Sequence, residues 1–288
     1  MNVAPKLSIL TTIYNREPFI AECIESVQCS KFKDYEHILV DDQSSDRSVE
    51  IAESYARKDS RITVHKNPNN LGDYPNRNKA ASLARGKYIK YVDADDMIGP
   101  WMLSIMVDAM ETHPDTAAGL FVYGPHKSYL PRKIEAGQSL IEHYIDGSGI
   151  LNRSPLGAII DREKFNAVNG FPSKQHVGDF ELWHKLGALY PLLALPTLLS
   201  NYRIHPGQQS EDNRKDFTVP FKYFEAALDG LKFARKLGFS HPNIETEILR
   251  RRSRTVLYAI KQLHFEKARV LKSKSGQTWM DLIRHARA

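Results

Sequence analysis

The first part of the chain alternates short apolar runs with amphipathic segments, and this alternation is the feature that most constrains the fold. Lys6–Thr12 is rich in β-branched and apolar residues, as strands are. Pro18–Ser30 spaces its apolar side chains like one face of a helix. The same reasoning predicts strands at Glu36–Val40, Arg61–Lys66 and Tyr88–Val92, and helices after Asp46, around Asn78–Ala84 and after Pro100. Repeated strand–helix units predict an α/β protein with a mainly parallel sheet and helices on both faces.

The second half of the sequence has a different pattern and a different charge. Elements are mixed after Gly137, and the chain reads as helical after Pro220, so we predict an α/β domain at residues 1–215 and a helical C-terminal extension at 216–288. From residue 221 onward there are 15 lysines and arginines against 6 acids, a net charge of +9. Residues 1–220 therefore carry −3 of the overall +6. The basic character belongs to the extension.

The basic extension has three interpretations. A solvated helical face is the simplest, and peripheral contact with an anionic membrane comes next. Nucleic acid is not expected as a partner, because the densest basic cluster, Arg250 to Arg254, lacks interleaved aromatic residues. We expect the extension to assist acceptor or membrane docking, and not donor chemistry.

Several compositional features bear on location. No apolar run approaches the roughly 20 residues of a membrane span, and no basic segment followed by an apolar one is found at the start. The two cysteines, Cys23 and Cys29, match no metal or redox spacing. We therefore expect a reduced, cytoplasmic protein, with peripheral membrane contact as an addition.

Polar clusters follow three of the predicted strands. They are Thr12–Asn15, Asp41–Asp42 and Asp93–Asp96. In sheets of this kind ligands bind outside the carboxyl ends of the strands, so the shared position of these clusters predicts a binding site there.

The turn Asp93–Asp96 places three carboxylates within four residues. Crowded carboxylates repel one another unless a cation lies among them, and oxygen ligands suit Mg²⁺ or Mn²⁺. The alternative is an acidic loop that caps the next helix. The turn at Asp41–Asp46 also has two interpretations, a carboxylate that binds a base or ribose and an ordinary strand end with Asp46 as a helix cap.

Several ordered motifs resemble glycosyltransferase family 2, which has the GT-A (Rossmann-like) fold. They are LSILTTIYNRE, HILVDDQSSDRS, NNLGDYPNRNKAASLARGKYIKYVDADD, GFPSKQHVGDFELWHKL and YRIHPGQQS. The resemblance covers roughly residues 6 to 210. It implies a nucleotide-diphospho-sugar donor, usually with UDP or another nucleoside, and a divalent metal, Mn²⁺ or Mg²⁺.

The resemblance assigns roles to residues that match the family's motifs. On the donor side these are Thr12 and Tyr14 at the base, Asp41 and Asp42 at the base or ribose, Arg77 at the base or diphosphate, and Asp93 at the ribose and metal side. Asp95 would be the main metal ligand with Asp96 as a substitute, and His205 would reach the metal or the diphosphate. A satisfied polar histidine near the surface is the alternative for His205.

On the acceptor side, Asp179 matches the family's general base. The family has a Glu-Asp pair at this point, and here the first member is Gly178, so Glu181 is a second candidate. One base and one leaving-group metal imply a single displacement with inversion at the sugar. The Gln-x-x-Arg-Trp motif of processive synthases is absent, which favours transfer of one sugar to a glycan or lipid-linked acceptor.

Other classes fit less well. A nucleotidyltransferase would want a glycine-rich phosphate loop after the first strand, where this chain reads TTIYNRE, and a dinucleotide-dependent oxidoreductase would want G-x-G-x-x-G. An aspartate-based phosphatase would want a hydroxyl or β-branched residue after the acidic pair, and this chain lacks one there. A non-catalytic binding protein that uses the basic extension is the alternative of a different class.

Overall fold

A mixed sheet of eight strands is the framework of the protein. The computed structural model describes residues 4–122, 130–147, 149–173, 177–196, 200–205, 218–261 and 265–287. In chain order the sheet strands are β1 (Leu7–Ile13), β2 (Tyr35–Asp41), β3 (Ile62–Lys66), β4 (Tyr88–Tyr91), β6 (Ala118–Phe121), β7 (Arg132–Ile134), β8 (Ala158–Asp161) and β9 (Leu192–Leu195). Two short strands, β5 (Met97–Ile98) and β10 (Ser200–Asn201), pair separately and antiparallel.

The order across the sheet is β3-β2-β1-β4-β8-β6-β9-β7. Strands β3, β2, β1 and β4 are parallel neighbours, and β6 is parallel to β9. Only β8 and β7 run antiparallel to the strands beside them. The prediction of a mainly parallel sheet is therefore confirmed. Because Ile13 pairs with Asp41 at the ends of β1 and β2, the polar clusters that follow these strands lie at one edge.

Helices cover both faces of this sheet. They are α1 (Ile20–Gln28), α2 (Ser48–Ala56), α3 (Asp73–Leu83), α4 (Met102–Thr112), α5 (Gln138–Ile141), α6 (Arg162–Ala167), α7 (Gly178–Leu189), α8 (Val219–Lys236), α9 (Pro242–Lys261), α10 (Phe265–Ser275) and α11 (Trp279–Arg287), with a π-helical turn at Glu142–Asp146 and a 3-10 turn at Pro155–Gly157.

The alternating side chains of β1 explain why an apolar layer lies on each face of the sheet. Leu7 and Ile9 pack in one apolar cluster with α1 and α4, whereas Leu10 packs in another with α3 and α7. Successive side chains of a strand point to opposite faces, so one strand contributes to both layers.

Helix α3 begins at Asp73, five residues before the predicted start near Asn78. Gly72 precedes it with a φ of 83°, a conformation that favours glycine. Pro75 lies in the first turn, where its missing N–H costs no intrahelical bond. The extra turn carries Asp73, Tyr74 and Arg77, which become important at the site.

The C-terminal helices pack on the sheet domain through a close seam between α7 and α8. A Cβ at Gly230 would lie 2.8 Å from Cβ of His184, so the two helices meet nearly backbone to backbone there. Ala226 and Leu231 of α8 belong to the same apolar cluster as the sheet. The predicted domain boundary at 215/216 falls outside the described residues.

The basic cluster of α9 is partly used in packing. Arg251 donates to the carbonyl of Tyr144 at 2.6 Å and lies over its ring, and Arg250 and Arg251 both pair with Glu247. The farther helices have a small core of their own, formed by Phe221, Val256, Leu271 and Leu282. Within the described ranges, no helix is both long and apolar enough to cross a membrane.

Candidate active site

A cleft of about 510 Å³ opens at the carboxyl ends of β1, β2 and β4. Eight of the predicted site residues line it, namely Thr12, Tyr14, Asp42, Arg77, Asp93, Asp95, Asp96 and Asp179. They come from the ends of three strands and the first turns of α3 and α7. Ser154, Pro155, Tyr202 and Tyr223 add further wall residues from the second half of the chain.

The two neighbouring carboxylates Asp41 and Asp42 do different things. The carboxylate of Asp41 accepts the backbone N–H groups of Gln43 and Ser44, each at 3.1 Å, and Asp41 does not line the cleft. Asp42 does line it, and its oxygens accept the N–H groups of Leu71 and Gly72 at 2.8 Å. Asp41 thus holds its own turn and lies outside the cleft lining. Asp42 shapes the loop that leads into α3.

Arg77 is a buried cation between two carboxylates. Its guanidinium lies 2.7 Å from Asp73 and 2.7 Å from Asp93. Burial opposes the charge, but Asp73 and Asp93 outweigh it and keep the pKa of Arg77 well above its ordinary value. A fixed positive charge therefore lies beneath Asp93–Asp96, the acidic turn.

The acidic turn is held from two sides. Oδ2 of Asp95 accepts from Nε of Arg16 at 3.0 Å and lies 3.1 Å from Nε2 of His205. The His205 ring packs on Phe19 with centroids 4.4 Å apart. His205 does not line the cleft; it contacts Asp95, which does.

Asp96 shows how crowded the carboxylates of this turn are. It is buried, and its Oδ1 accepts the backbone N–H of Arg203 at 2.9 Å. Burial raises the pKa of Asp96 to about 7, and the charges of Asp93 and Asp95 add to the rise. Among the described residues, no group of three or more His, Cys, Asp or Glu side chains is arranged to hold a metal ion. A cation here would need ligands from a substrate as well.

Asp179 lies in the first turn of α7, after the N-cap residue Val177. Its Oδ1 accepts the Tyr74 hydroxyl at 3.2 Å and the N–H of Phe180 at 2.8 Å. Burial raises the pKa of Asp179 to about 6, although these two bonds and the charge of Arg77 oppose the rise. The result is a carboxylate that is ionised at neutral pH and still basic enough to take up a proton.

Glu181, the second candidate base, points elsewhere. It is buried, pairs with Lys185 at 3.1 Å, and does not line the cleft.

Arg16, Tyr74 and Tyr223 are among the wall residues that were not predicted from the sequence. Arg16 is the basic residue in TTIYNRE, so its place after the first strand was a usable signal. Tyr74 was missed because the start of α3 was placed too late. Tyr223 reaches the cleft from α8, and nothing in the local sequence indicates this.

The family comparison agrees with this geometry. A model of glycosyl transferase family 2 matches residues 8–168, more than half of the chain. The chain belongs to glycosyl transferase family 2. Among relatives, a glycosyltransferase of Bacillus subtilis named EpsJ is 39% identical over 139 residues, which are 47% of this chain and 40% of EpsJ. A poly(ribitol-phosphate) beta-glucosyltransferase of Bacillus spizizenii is 40% identical over 97 residues, 33% of this chain and 15% of that protein. This family member thus spans less than half the length of either relative.

Solved structures show the same fold. S. aureus TarS 1-349 in complex with UDP-GlcNAc has a TM-score of 0.62 at 16% identity, covering 95% of this chain and 93% of that one. The mannosyltransferase PcManGT from Pyrobaculum calidifontis, in complex with GDP-Man and Mn²⁺, has a TM-score of 0.56 at 15% identity, covering 95% and 87%. The predicted GT-A fold with its helical C-terminal region is confirmed.

Proposed function

We propose that this family 2 protein transfers one sugar, with inversion, from a nucleotide-diphospho-sugar to a hydroxyl of a glycan or lipid-linked acceptor. The proposal rests on the cleft at the strand ends, where the acidic turn, Arg77 and the carboxylate of Asp179 lie together. UDP is the proposed nucleotide.

The donor would bind along the first strands. Tyr14 exposes about half of its surface at the cleft and offers a ring for the base, with Thr12 beside it. Asp42 and Asp93 offer carboxylate oxygens to ribose hydroxyls, and Arg77 supports Asp93 from below. Asp41 is left out of this site because, unlike Asp42, it does not line the cleft.

The proposed divalent cation, Mn²⁺ or Mg²⁺, fits the donor atoms at Asp95. Oδ2 of Asp95 and Nε2 of His205 are 3.1 Å apart, and neighbouring ligands of an octahedral ion with bonds of about 2.1 Å are about 3.0 Å apart. Asp95 and His205 would hold the ion, and further ligands would have to come from the donor. Such a cation would supply Lewis-acid stabilisation of the charge on the leaving diphosphate.

The chain's own residues would carry out the proton transfer. Asp179 takes the proton of the acceptor hydroxyl as the acceptor oxygen bonds to the anomeric carbon. The bond from that carbon to the diphosphate breaks, and the diphosphate leaves with the electron pair. A single displacement inverts the anomeric configuration.

Calorimetric titration tests the donor and metal parts. Binding of UDP and GDP is measured with Mn²⁺ and with EDTA, for the wild type and Asp95→Ala. We expect nucleotide binding to need the metal and the dependence to be lost in Asp95→Ala. Equal wild-type affinity in Mn²⁺ and EDTA would contradict the metal site. Inversion is tested separately by the anomeric configuration of the product, read by NMR.

The C-terminal helices are proposed to contact an anionic membrane. On α11, Trp279, Met280 and Ile283 are 45%, 74% and 44% exposed, while Leu282 is buried. At about 100° per residue the three exposed side chains share one side of the helix. The ammonium of Lys272 lies 5.8 Å from the Trp279 ring centroid. An apolar face with basic neighbours is typical of helices that lie in the membrane interface.

Vesicle flotation tests this contact. The full chain should float with vesicles that contain phosphatidylglycerol at low salt, and less with phosphatidylcholine alone. Met280→Asp should reduce flotation, whereas Ile105→Asp, at an exposed position on α4, should not. No flotation with anionic vesicles, or equal loss in both variants, would count against the proposal.

A further inference from the structure

Tyr74 and Gly178 fit together beside Asp179. Tyr74 is 6% exposed, and its ring packs on Phe171 with centroids 5.2 Å apart. A Cβ at residue 178 would lie 2.8 Å from three atoms of the Tyr74 ring, closer than side chains pack. The glycine is therefore what leaves room for this ring at the start of α7.

The hydrogen bonds of Asp179 are asymmetric. The Tyr74 hydroxyl and the Phe180 N–H both donate to Oδ1, at 3.2 and 2.8 Å. In the parts of the chain that the structure describes, no donor is bonded to Oδ2. Asp179 lines the cleft, so Oδ2 is the oxygen that remains available to a molecule bound there.

We propose that Tyr74 is a positioning residue for Asp179: it fixes Oδ1 and thereby leaves Oδ2 as the atom that accepts the proton of the acceptor hydroxyl. The inference rests on the proposed role of Asp179 as base. It also gives a reason for the departure at residue 178. The Glu-Asp pair of the family places a carboxylate before the base, and this chain has instead a glycine and a tyrosine hydroxyl supplied by α3.

The groups around Asp179 define the direction of the expected pH effect. Asp73 and Arg77 face it from α3, and Tyr223 faces it from α8. Burial, with the charges of Asp179 and Asp73, keeps the pKa of Tyr74 well above its ordinary value, so its hydroxyl stays a donor. Its hydrogen bond favours the ionised form of Asp179. Loss of this bond should therefore raise the pH at which the base becomes ionised.

The first test is Tyr74→Phe, which keeps the ring and removes the hydroxyl. We expect kcat to fall about tenfold and the midpoint of the kcat/KM pH profile to rise by about one pH unit, with unchanged UDP affinity. The control is Tyr88→Phe. Tyr88 also donates to a carboxylate, that of Glu111 at 2.7 Å, but at the other end of β4. Its pH midpoint should stay at the wild-type value.

A double-mutant cycle tests the fit at residue 178. Gly178→Ala should reduce kcat in the wild type by displacing the Tyr74 ring, and should do so much less in a Tyr74→Ala background. An unchanged pH midpoint in Tyr74→Phe, or equal effects of Gly178→Ala in both backgrounds, would overturn the positioning role. If Asp179→Asn keeps its rate, the base assignment itself fails. If Asp179→Asn is inactive and Tyr74→Phe behaves like the wild type, only the role of Tyr74 fails.

Discussion

Asp179→Asn separates a catalytic carboxylate from a structural one. The N-cap of α7 is Val177, so Asp179 is not needed as a cap. Asparagine keeps a carbonyl oxygen that can accept from Tyr74 and from the Phe180 N–H, the two bonds that Oδ1 now makes. The variant should therefore fold and bind nucleotide. It should lose transfer by roughly 10²–10⁴-fold, the usual contribution of general acid–base catalysis.

The same substitution should change stability in a pH-dependent way. The pKa of Asp179 rises from an ordinary value of 3.8 to about 6 in the folded protein. The folded state therefore binds this proton more tightly than the unfolded state, and the stabilisation is lost as pH rises through about 6. The ionised carboxylate then costs at most about 3 kcal/mol, and less where the cleft admits water. Asparagine removes this cost, so the variant should match the wild type near pH 4 and exceed it near pH 7.5.

Two measurements on one preparation test whether the carboxylate of Asp179 is catalytic. Transfer rates give kcat/KM against pH, which for the wild type should rise to a plateau above about pH 6 because the base must be ionised. Urea unfolding near pH 4 and pH 7.5 gives the stability difference. Asp161→Asn is the matched control, because Asp161 is a true N-cap that accepts the Lys164 N–H at 2.9 Å. An Asp179→Asn enzyme that keeps most of its rate would refute the reasoning.

Three further predictions follow from buried contacts. Arg77→Met should weaken UDP binding and destabilise the fold by at most about 3–5 kcal/mol, since it leaves two partly buried carboxylates without their cation; calorimetry and urea unfolding measure the two effects. Tyr223→Ala should raise KM for the acceptor several-fold with little change in UDP affinity, because α8 supplies this wall of the cleft; steady-state kinetics with varied acceptor would show it. Gly86→Ala should lower the melting temperature, at a cost of about 1–3 kcal/mol, because its Cβ would lie 2.6 Å from the backbone nitrogen of Ser8, and normal kcat per folded molecule is expected.

The sequence was most informative where a pattern repeats locally. The β-branched and apolar composition of β1 predicted the strand, and the polar residues after it predicted the edge at which the cleft opens, because each signal needs only a few neighbouring residues. The start of α3 was placed near Asn78, after Pro75, although proline is tolerated in a first turn and the helix begins at Asp73.

Roles that depend on distant contacts were harder to predict. The turn around Asp41 looked like two equivalent carboxylates, and only the tertiary structure shows that Asp41 bonds its own turn while Asp42 faces the cleft. Tyr223 is separated from Asp179 by a long stretch of chain, and no local signal predicts that they share a wall. In the sequence, Gly178 looked like the loss of the family's glutamate. Only the structure shows that the Tyr74 ring beside it leaves no room for a side chain at this position.

The close seam between α7 and α8 determines where this protein can be recombined with others. Gly230 lets α8 approach His184, and the same two helices carry Asp179 and Tyr223. A chimera joined between the sheet domain and α8 would place a foreign helix against α7, and any side chain larger than hydrogen at the position of Gly230 would push the two apart. The helix that carries Asp179 would shift with it. An exchangeable segment therefore has to begin before α7 and carry both helices, with β9 between them, as one unit.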